Sequence, residues 1–327
     1  MSAYLPSRAF GARLVRWAGN LIALRSGQRG RLCILNYHRI LPASDPLLDA
    51  EPDADTFRWQ MKVLADCFHV MPLSEALAAL AAGSLPARAV CITFDDGYRS
   101  THDLALPILQ EFGLTATVFV TTSFVGDGVM WNDTILEAVR QLPDGQLDLR
   151  ATGLGAQTIV SLEDRRRAIG SLTELAKYMP PQERMALALE LETLADTAAL
   201  RGLMLTSENV RSLAQQGIEI GAHTITHPIL TSLEDNSANQ EISACKSQLE
   251  LITGKPVRFF AYPNGKSGLD FDARHVGMAR RAGYEAAFTT APGPATTAND
   301  LFQLPRSRPW DRTPRLFTLR LLRWLAK

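Results

Sequence analysis

Nothing in this chain supports a disulfide framework or a cysteine metal site. Its four cysteines, Cys33, Cys67, Cys91 and Cys245, are scattered along 327 residues without a CxxC pair. Most lie in apolar strand or helix contexts, so buried thiols are the expectation. Long hydrophobic runs are missing too. The best, residues 17–24, is too short to span a bilayer. Asn20 interrupts it and no small-x-small cleavage site follows, so it makes a poor secretory leader. Excess charge is absent overall, with 34 basic against 34 acidic side chains. No basic stripe accompanies a candidate site, which argues against nucleic-acid binding. Acid is scarce only at the ends. Residues 1–44 hold seven arginines and no Asp or Glu, and residues 306–327 hold seven basic side chains against Asp311 alone. The body between them carries a net charge of −13. A hydrophobic content of 46% is ordinary for a globular protein, and the length suits one large α/β domain with an insertion or two small domains.

The chemistry gathers around Val90-Cys91-Ile92-Thr93-Phe94-Asp95-Asp96-Gly97. Residues 90–94 are β-branched and apolar and read as a buried strand. Two adjacent carboxylates stand at its C-terminal end. Burying an unpaired anion costs several kcal/mol, so the pair belongs where the strand opens to a site and something positive holds it. Successive strand side chains face opposite ways, but at the strand's exit both can turn into one pocket. A solvated Asp-Asp-Gly turn is the competing reading, and the helix expected over 103–112 weighs against it. Far downstream a second short strand, 218–222, ends in His223-Thr224-Ile225-Thr226-His227-Pro228. Two imidazoles at this spacing suit one divalent metal. Pro228 steers His227 away from helical dihedrals, which places the pair on a loop. Two imidazoles and one carboxylate leave an open position for water, as catalytic zinc sites do.

The two motifs, in this order, resemble those of the polysaccharide deacetylases with a NodB homology domain, carbohydrate esterase family 4, over roughly residues 34–306. The resemblance implies a distorted (β/α) barrel with Asp95 as catalytic base. It makes Asp96, His223 and His227 ligands of a divalent metal, zinc first, with cobalt or nickel as alternatives. Phe260-Ala261-Tyr262-Pro263-Asn264-Gly265 matches the family's Arg-Pro-Pro-Tyr-Gly-like loop and nominates Tyr262 and Asn264 for substrate binding. The match departs twice. Ala261 replaces the arginine that orients the base, and Asn264 replaces the tyrosine; Arg258 is near but out of register. Leu304-Pro305-Arg306 stands where the family's late Leu-x-His motif supplies the acid, and Arg306 joins the substrate-binding candidates. Near the N-terminus, Asn36-Tyr37-His38 looks like the poly-N-acetylglucosamine deacetylase branch, whose Tyr-His pair enters the site. His38 is then the catalytic acid, against the plainer reading that it only caps a strand.

Elsewhere, helices are expected over 57–67 and 74–82, the second capped by Ser74, and a buried parallel strand over 115–121. Residues 126–205 break the alternation and read as an α-helical insertion with helices over 161–178, with Ile169, Leu172 and Leu175 on one apolar face, and over 181–200, with Met185 and Leu189 on another. It is either a lid near the site or a packing excursion, and Trp131 is either a sugar platform or a core tryptophan. Helices to 216, over 238–253 and over 271–282 then alternate with strands over 218–222, 257–261 and 285–289. Such β-α repetition makes a parallel barrel-like sheet with its site at the C-terminal strand ends. His38, Asp95, Asp96, His223 and Tyr262 all fall there, while His69, His102 and His275 are left as surface or core histidines.

These readings divide the chain into a basic amphipathic segment (1–30), a NodB-like domain (31–310) and a basic amphipathic C-terminal helix (311–327). The expected activity is metal-dependent hydrolysis of N-acetyl groups on amino sugars of a polysaccharide or lipid-linked glycan. Without the base-orienting arginine, turnover is expected to be slow. The alternative is a carbohydrate-binding or scaffold protein with a vestigial metal site. In the tail, Arg320, Arg323 and Lys327 share one helical face, with Phe317, Leu321, Trp324 and Leu325 largely opposite. That pattern suits peripheral contact with an anionic membrane as well as it suits a docked helix. The membrane reading places the enzyme in the cytoplasm, on the inner face.

Overall fold

The structure, a computed structural model, describes residues 7–25, 30–150, 153–196 and 201–326. The chain begins with α1 (Ser7–Arg25), β1 (Cys33–Tyr37), α2 (Ala54–Cys67), the short β2 (His69–Val70), α3 (Leu73–Ala81) and β3 (Ala89–Phe94). A π turn at Thr101–Ala105 leads into α4 (Leu106–Glu111), so the helix expected over 103–112 is shorter and begins irregularly. β4 (Thr117–Val120) follows. The insertion then comprises α5 (Trp131–Gln141), β5 (Gly145–Leu149), β6 (Gly155–Ile159), α6 (Leu162–Lys177) and α7 (Pro181–Leu194). Alternation resumes with α8 (Ser207–Gln215), β7 (Glu219–Ala222), α9 (Asp235–Thr253), β8 (Phe259–Ala261), α10 (Ala273–Arg281) and β9 (Ala286–Phe288), and α11 (Pro314–Ala326) ends it.

The strands form one parallel sheet in the order β1-β3-β4-β7-β8-β9, with β2 beside β3. It curls into a half-barrel of the expected (β/α) kind. Residues 304–307 span the remaining edge, since Leu304 bridges to Phe288 of β9 and Ser307 to Leu35 of β1. Strand alternation sorts the side chains. Ile34, Cys91, Phe119, Ala261, Phe288 and Leu304 pack on one face with Leu73, Ala76, Leu77 and Leu80 of α3. Cys33, Leu35, Tyr37, Val90, Ile92, Phe94, Phe260 and Tyr262 pack on the other, beneath the outer helices. All four cysteines are buried and unpaired, as expected, and burial pushes the Cys33 and Cys245 thiols up to about 12.

Several local expectations are corrected. Ser74 does not cap α3; the carboxylate of Glu219, at the start of β7, accepts from the backbone N–H groups of Leu73 (2.8 Å) and Ser74 (3.2 Å). The insertion is not purely helical. It includes the antiparallel β5–β6 hairpin, whose short, polar alternation gave little signal, and α5 was not foreseen. Its own core joins Trp131, Ile135, Val139, Leu147, Ile159, Leu172 and Leu191. Met185 and Leu189, expected to form an apolar face of α7, are exposed, and Leu187, Ala188 and Leu191 pack instead. The helix expected to reach 200 ends at Leu194, and residues 197–200 lie outside the described residues. At the termini, α1 packs against α11. Phe317, Leu321, Trp324 and Leu325 are buried in the core. The apolar face assigned to a membrane is therefore already covered.

Candidate active site

Strand alternation carries Thr93 and then Asp95 into the barrel, where Asp95 is buried. Its partner is Arg306, on the closing segment. The guanidinium donates to both carboxylate oxygens, Nη1 to Oδ1 and Nη2 to Oδ2, each at 2.7 Å. Arg306 also donates to Thr93 Oγ1 and to the carbonyl of Thr289, each at 3.2 Å, and lies over the Phe119 ring. Both members of the pair are nearly inaccessible, 0% and 2% exposed as side chains. Such a pair holds only when forked geometry and further bonds offset desolvation. Burial alone raises the Asp95 carboxyl, but Arg306 and His223 outweigh it and hold the group below the usual carboxylate range.

Asp96 ought to point to the opposite face. Its backbone takes the left-handed conformation, φ 73°, and this turns the carboxylate back toward the site. Gly97 continues the turn at φ 88°, where a Cβ would come within 3.1 Å of Val120 Cγ1. Asp96 Oδ1 lies 3.4 Å from Nε2 of both His223 and His227 and has no hydrogen-bond partner. His223 Nδ1 is 2.7 Å from the carbonyl oxygen of Ala261. A carbonyl only accepts, so Nδ1 carries the proton and Nε2 is the nitrogen left for a ligand bond. Burial depresses His227 to about 4, leaving its imidazole neutral at pH 7. Burial also works against a charged His223, but Asp95 and Asp96 prevail and raise it. The field at this spot favours a cation.

The histidine loop is held by strained backbone and by one carboxylate. Thr224 (φ 66°) and His227 (φ 54°) join Asp96 and Asn264 (φ 58°) among the few described non-glycine residues with positive φ. Strain of this kind persists where its surroundings over-determine it. Glu241 of α9 accepts from the N–H groups of Ile225 (2.7 Å) and Thr226 (2.9 Å) and from the Thr226 hydroxyl (2.7 Å). Asp96, His223 and His227 together place one ligand atom each within 4.8 Å of the others. They fit a divalent cation: two imidazole nitrogens and an unpartnered carboxylate oxygen converge with no donor between them.

These groups open into a cavity of about 510 Å³, also lined by His38, Asn264, Arg306, Arg308 and Trp310. Arg308 Nη2 lies 3.3 Å from His38 Nδ1 and 2.7 Å from Glu51 Oε1. The insertion supplies Met130, Trp131, Asn132, Thr173 and Lys177 to the same wall. It is tied to the barrel by Asp133, which accepts from Arg39 (2.9 Å) and from the Tyr98 hydroxyl (2.9 Å).

The family model for polysaccharide deacetylases matches residues 82–287. The chain belongs to the polysaccharide deacetylase family. It is thus a hydrolase acting on amide bonds. The YxkH protein of Bacillus subtilis (strain 168), named for the same family, is 22% identical over 287 residues, covering 87% of this chain and 74% of YxkH. Among solved structures, Streptococcus pyogenes deacetylase PplD in complex with acetate superposes with a TM-score of 0.59 at 21% identity, covering 91% of this chain and 99% of PplD. IcaB from Ammonifex degensii gives 0.59 at 18% identity, with 91% and 98% covered.

Of the residues singled out in this deacetylase's sequence, His38, Asp95, Asp96, His223, His227, Asn264 and Arg306 meet at one cavity. Tyr262 does not. Ala261 faces the barrel interior, so the next side chain turns outward. Tyr262 stacks on Phe271 at 3.8 Å and donates to the carbonyl of Phe302. Tyr37 likewise turns outward, to Gln60, so His38 alone of that pair enters. Arg306 was nominated to hold substrate, but its fork is committed to Asp95. That contact also removes the ground for the inference drawn from Ala261: Asp95 has an arginine, delivered by another segment. Arg308, Glu241 and Asp133 were not singled out for these roles; their partners lie between 15 and 270 residues away. His275 is a buried cap residue whose Nδ1 accepts from the Asp272 N–H.

Proposed function

We propose that this enzyme hydrolyses N-acetyl groups on amino sugars of a polysaccharide or a lipid-linked glycan, with a divalent metal held by Asp96, His223 and His227. The observation that carries this reading is the forked Asp95–Arg306 pair set beside an Asp/His/His cluster that lacks a donor of its own. A zinc ion, or cobalt or nickel in its place, supplies Lewis acidity there and makes water easier to deprotonate. Asp95, kept ionised by Arg306, removes the proton from the attacking water. His38 serves the leaving side of the acetamide from the same cavity. Asn264 belongs to the cavity wall and contacts the sugar. The acetate bound in PplD is the product such a reaction releases.

A long substrate suits the surroundings. Trp310, 61% exposed, lines both this cavity and an adjoining one of about 480 Å³ bounded by Glu51, Asp53 and Arg312. We read it as the platform over which a glycan chain leaves the catalytic cavity. The binding-only alternative loses its main support, because Arg306 supplies the contact that Ala261 lacks. We also place the protein at the inner face of the membrane. On α1 and α11 the exposed Leu14, Trp17, Leu316 and Leu319 are interspersed with arginines and no acid. The decisive experiment incubates the metal-loaded chain with N-acetylated and O-acetylated oligosaccharides and measures acetate. Release from the amide substrates is expected; no release from any of them overturns the proposal.

A further inference from the structure

The contact of Arg308 with His38 goes beyond the roles given so far. Arg308 Nη2 carries two hydrogens and faces two acceptors, Glu51 Oε1 at 2.7 Å and His38 Nδ1 at 3.3 Å. A guanidinium has donors only and keeps its protons at every physiological pH. A hydrogen bond between it and an imidazole nitrogen therefore has one direction: Nδ1 accepts. The proton of the ring is then on Nε2, and Nε2 is the atom free to face the cavity that His38 lines. Glu51, with its side chain only 13% exposed, anchors the guanidinium against the ring.

We propose that Arg308 is a positioning residue that fixes His38 as the Nε2–H tautomer, presented to the acetamide as a hydrogen-bond donor. The inference rests on the deacetylase reading for its catalytic meaning, though not for the tautomer itself. It changes the assignment of proton transfer. A ring whose Nδ1 accepts from an arginine has no second proton to spare, and full transfer from Nε2 would leave an imidazolate. His38 keeps its proton and polarises the acetamide by hydrogen bonding. As the water oxygen bonds to the carbonyl carbon, one water proton passes to Asp95. When the C–N bond breaks, its electron pair stays on nitrogen, and the proton held by Asp95 goes to that nitrogen. One water is consumed; its second proton stays on the new carboxyl group, so acetic acid and the free amine leave, and the acid ionises to acetate in solvent. His38 is then the counterpart of a proton-carrying acid only in position.

The test is spectroscopic first. Long-range proton–nitrogen correlation spectra of the full chain labelled at histidine, with His38 assigned by His38→Gln, report which ring nitrogen bears the proton. A proton on Nε2 alone is expected in the neutral ring of the native chain, and a mixture of the two tautomers in Arg308→Met. A proton on Nδ1 in the native chain, or a pattern unchanged in Arg308→Met, overturns the proposal. Kinetics supply the second readout. Arg308→Met should lower kcat on an N-acetylated oligosaccharide about ten-fold, the scale of a hydrogen bond to a charged group, with KM nearly constant and metal content intact. Arg308→Lys, which keeps one charged donor, should recover part of the loss. If Arg308→Met does not fold, Arg308→Ala is measured instead, and an unaltered tautomer there refutes the idea equally. Should the native chain release no acetate, the deacetylase reading fails while the tautomer measurement still stands or falls alone.

Discussion

The barrel and the insertion solve different problems with the same kind of core. In the barrel, side chains of six consecutive parallel strands sort by alternation, and the strand ends deliver Asp95, Asp96 and His223 to one point. In the insertion, a hairpin and three helices close around Trp131, Leu172 and Leu191, and only its edge reaches the cavity. One region sets the chemistry; the other walls the space in which a substrate lies. They are joined at several points: Arg140 pairs with Asp45, Lys177 with the buried Asp270, and Asp133 of α5 holds Arg39, the residue after His38.

The sharpest way to break this division is at the proposed metal ligands. His223→Ala and His227→Ala should each abolish stoichiometric metal binding and all acetate release, because two remaining ligands seldom hold a divalent ion. Full metal content by elemental analysis in either variant contradicts the ligand set. Asp95→Asn is expected to keep the metal and lose hydrolysis by ~10² or more, and Arg306→Met should approach the same loss. Near-native turnover in Arg306→Met would return the base-orienting role to another residue. The Asp133–Arg39 tie between the regions comes next. Asp133→Ala leaves Arg39 with a side chain only 14% exposed and no carboxylate, and should cost about 3 kcal/mol in urea unfolding. A change under 1 kcal/mol would show that this ion pair does not couple the insertion to the barrel. Smaller still, Trp310→Ala should raise KM several-fold for long oligosaccharides, the worth of one aromatic contact, and leave a monosaccharide substrate unaffected; equal effects on both lengths would remove Trp310 from the polymer path. Smallest of all is the surface effect. Flotation with anionic vesicles at low salt should weaken in Trp17→Ser and Arg323→Glu, each basic side chain contributing ~1 kcal/mol, and binding that neither variant alters would dismiss the α1–α11 surface.

The barrel and the Asp96, His223 and His227 cluster were readable because their signals are local. A β-branched run ending in two carboxylates, and two histidines before a proline, state their chemistry within a dozen residues. Tyr262 was misread for an equally local reason: strand alternation places Ala261 inside, and a one-residue difference in phase separates a site residue from a core residue. Arg306 was visible as a residue yet not as a partner. Its meaning depends on residues 304–307 lying between β9 and β1, a fact of barrel closure that no short window contains. The Ser74 cap failed similarly, because the competing acceptor, Glu219, comes from a strand 145 residues away. In the insertion the hairpin carried too little apolar alternation to be recognised, and exposed Met185 and Leu189 imitated a buried face.

The Asp95–Arg306 pair also fixes an order of events. Its members are 211 residues apart, and the arginine lies beyond every metal ligand in the chain. During synthesis the base, the metal ligands and the strands that carry them all leave the ribosome before the segment that closes the barrel. Until that segment docks, Asp95 is an anion entering a forming core without its counter-ion. On the proposed roles, the growing polypeptide gathers its metal ligands before its base is held in place, and hydrolytic competence arrives only with the last strand-like segment. By the same proposal, a nascent chain of this design stays silent toward glycans until its barrel is shut.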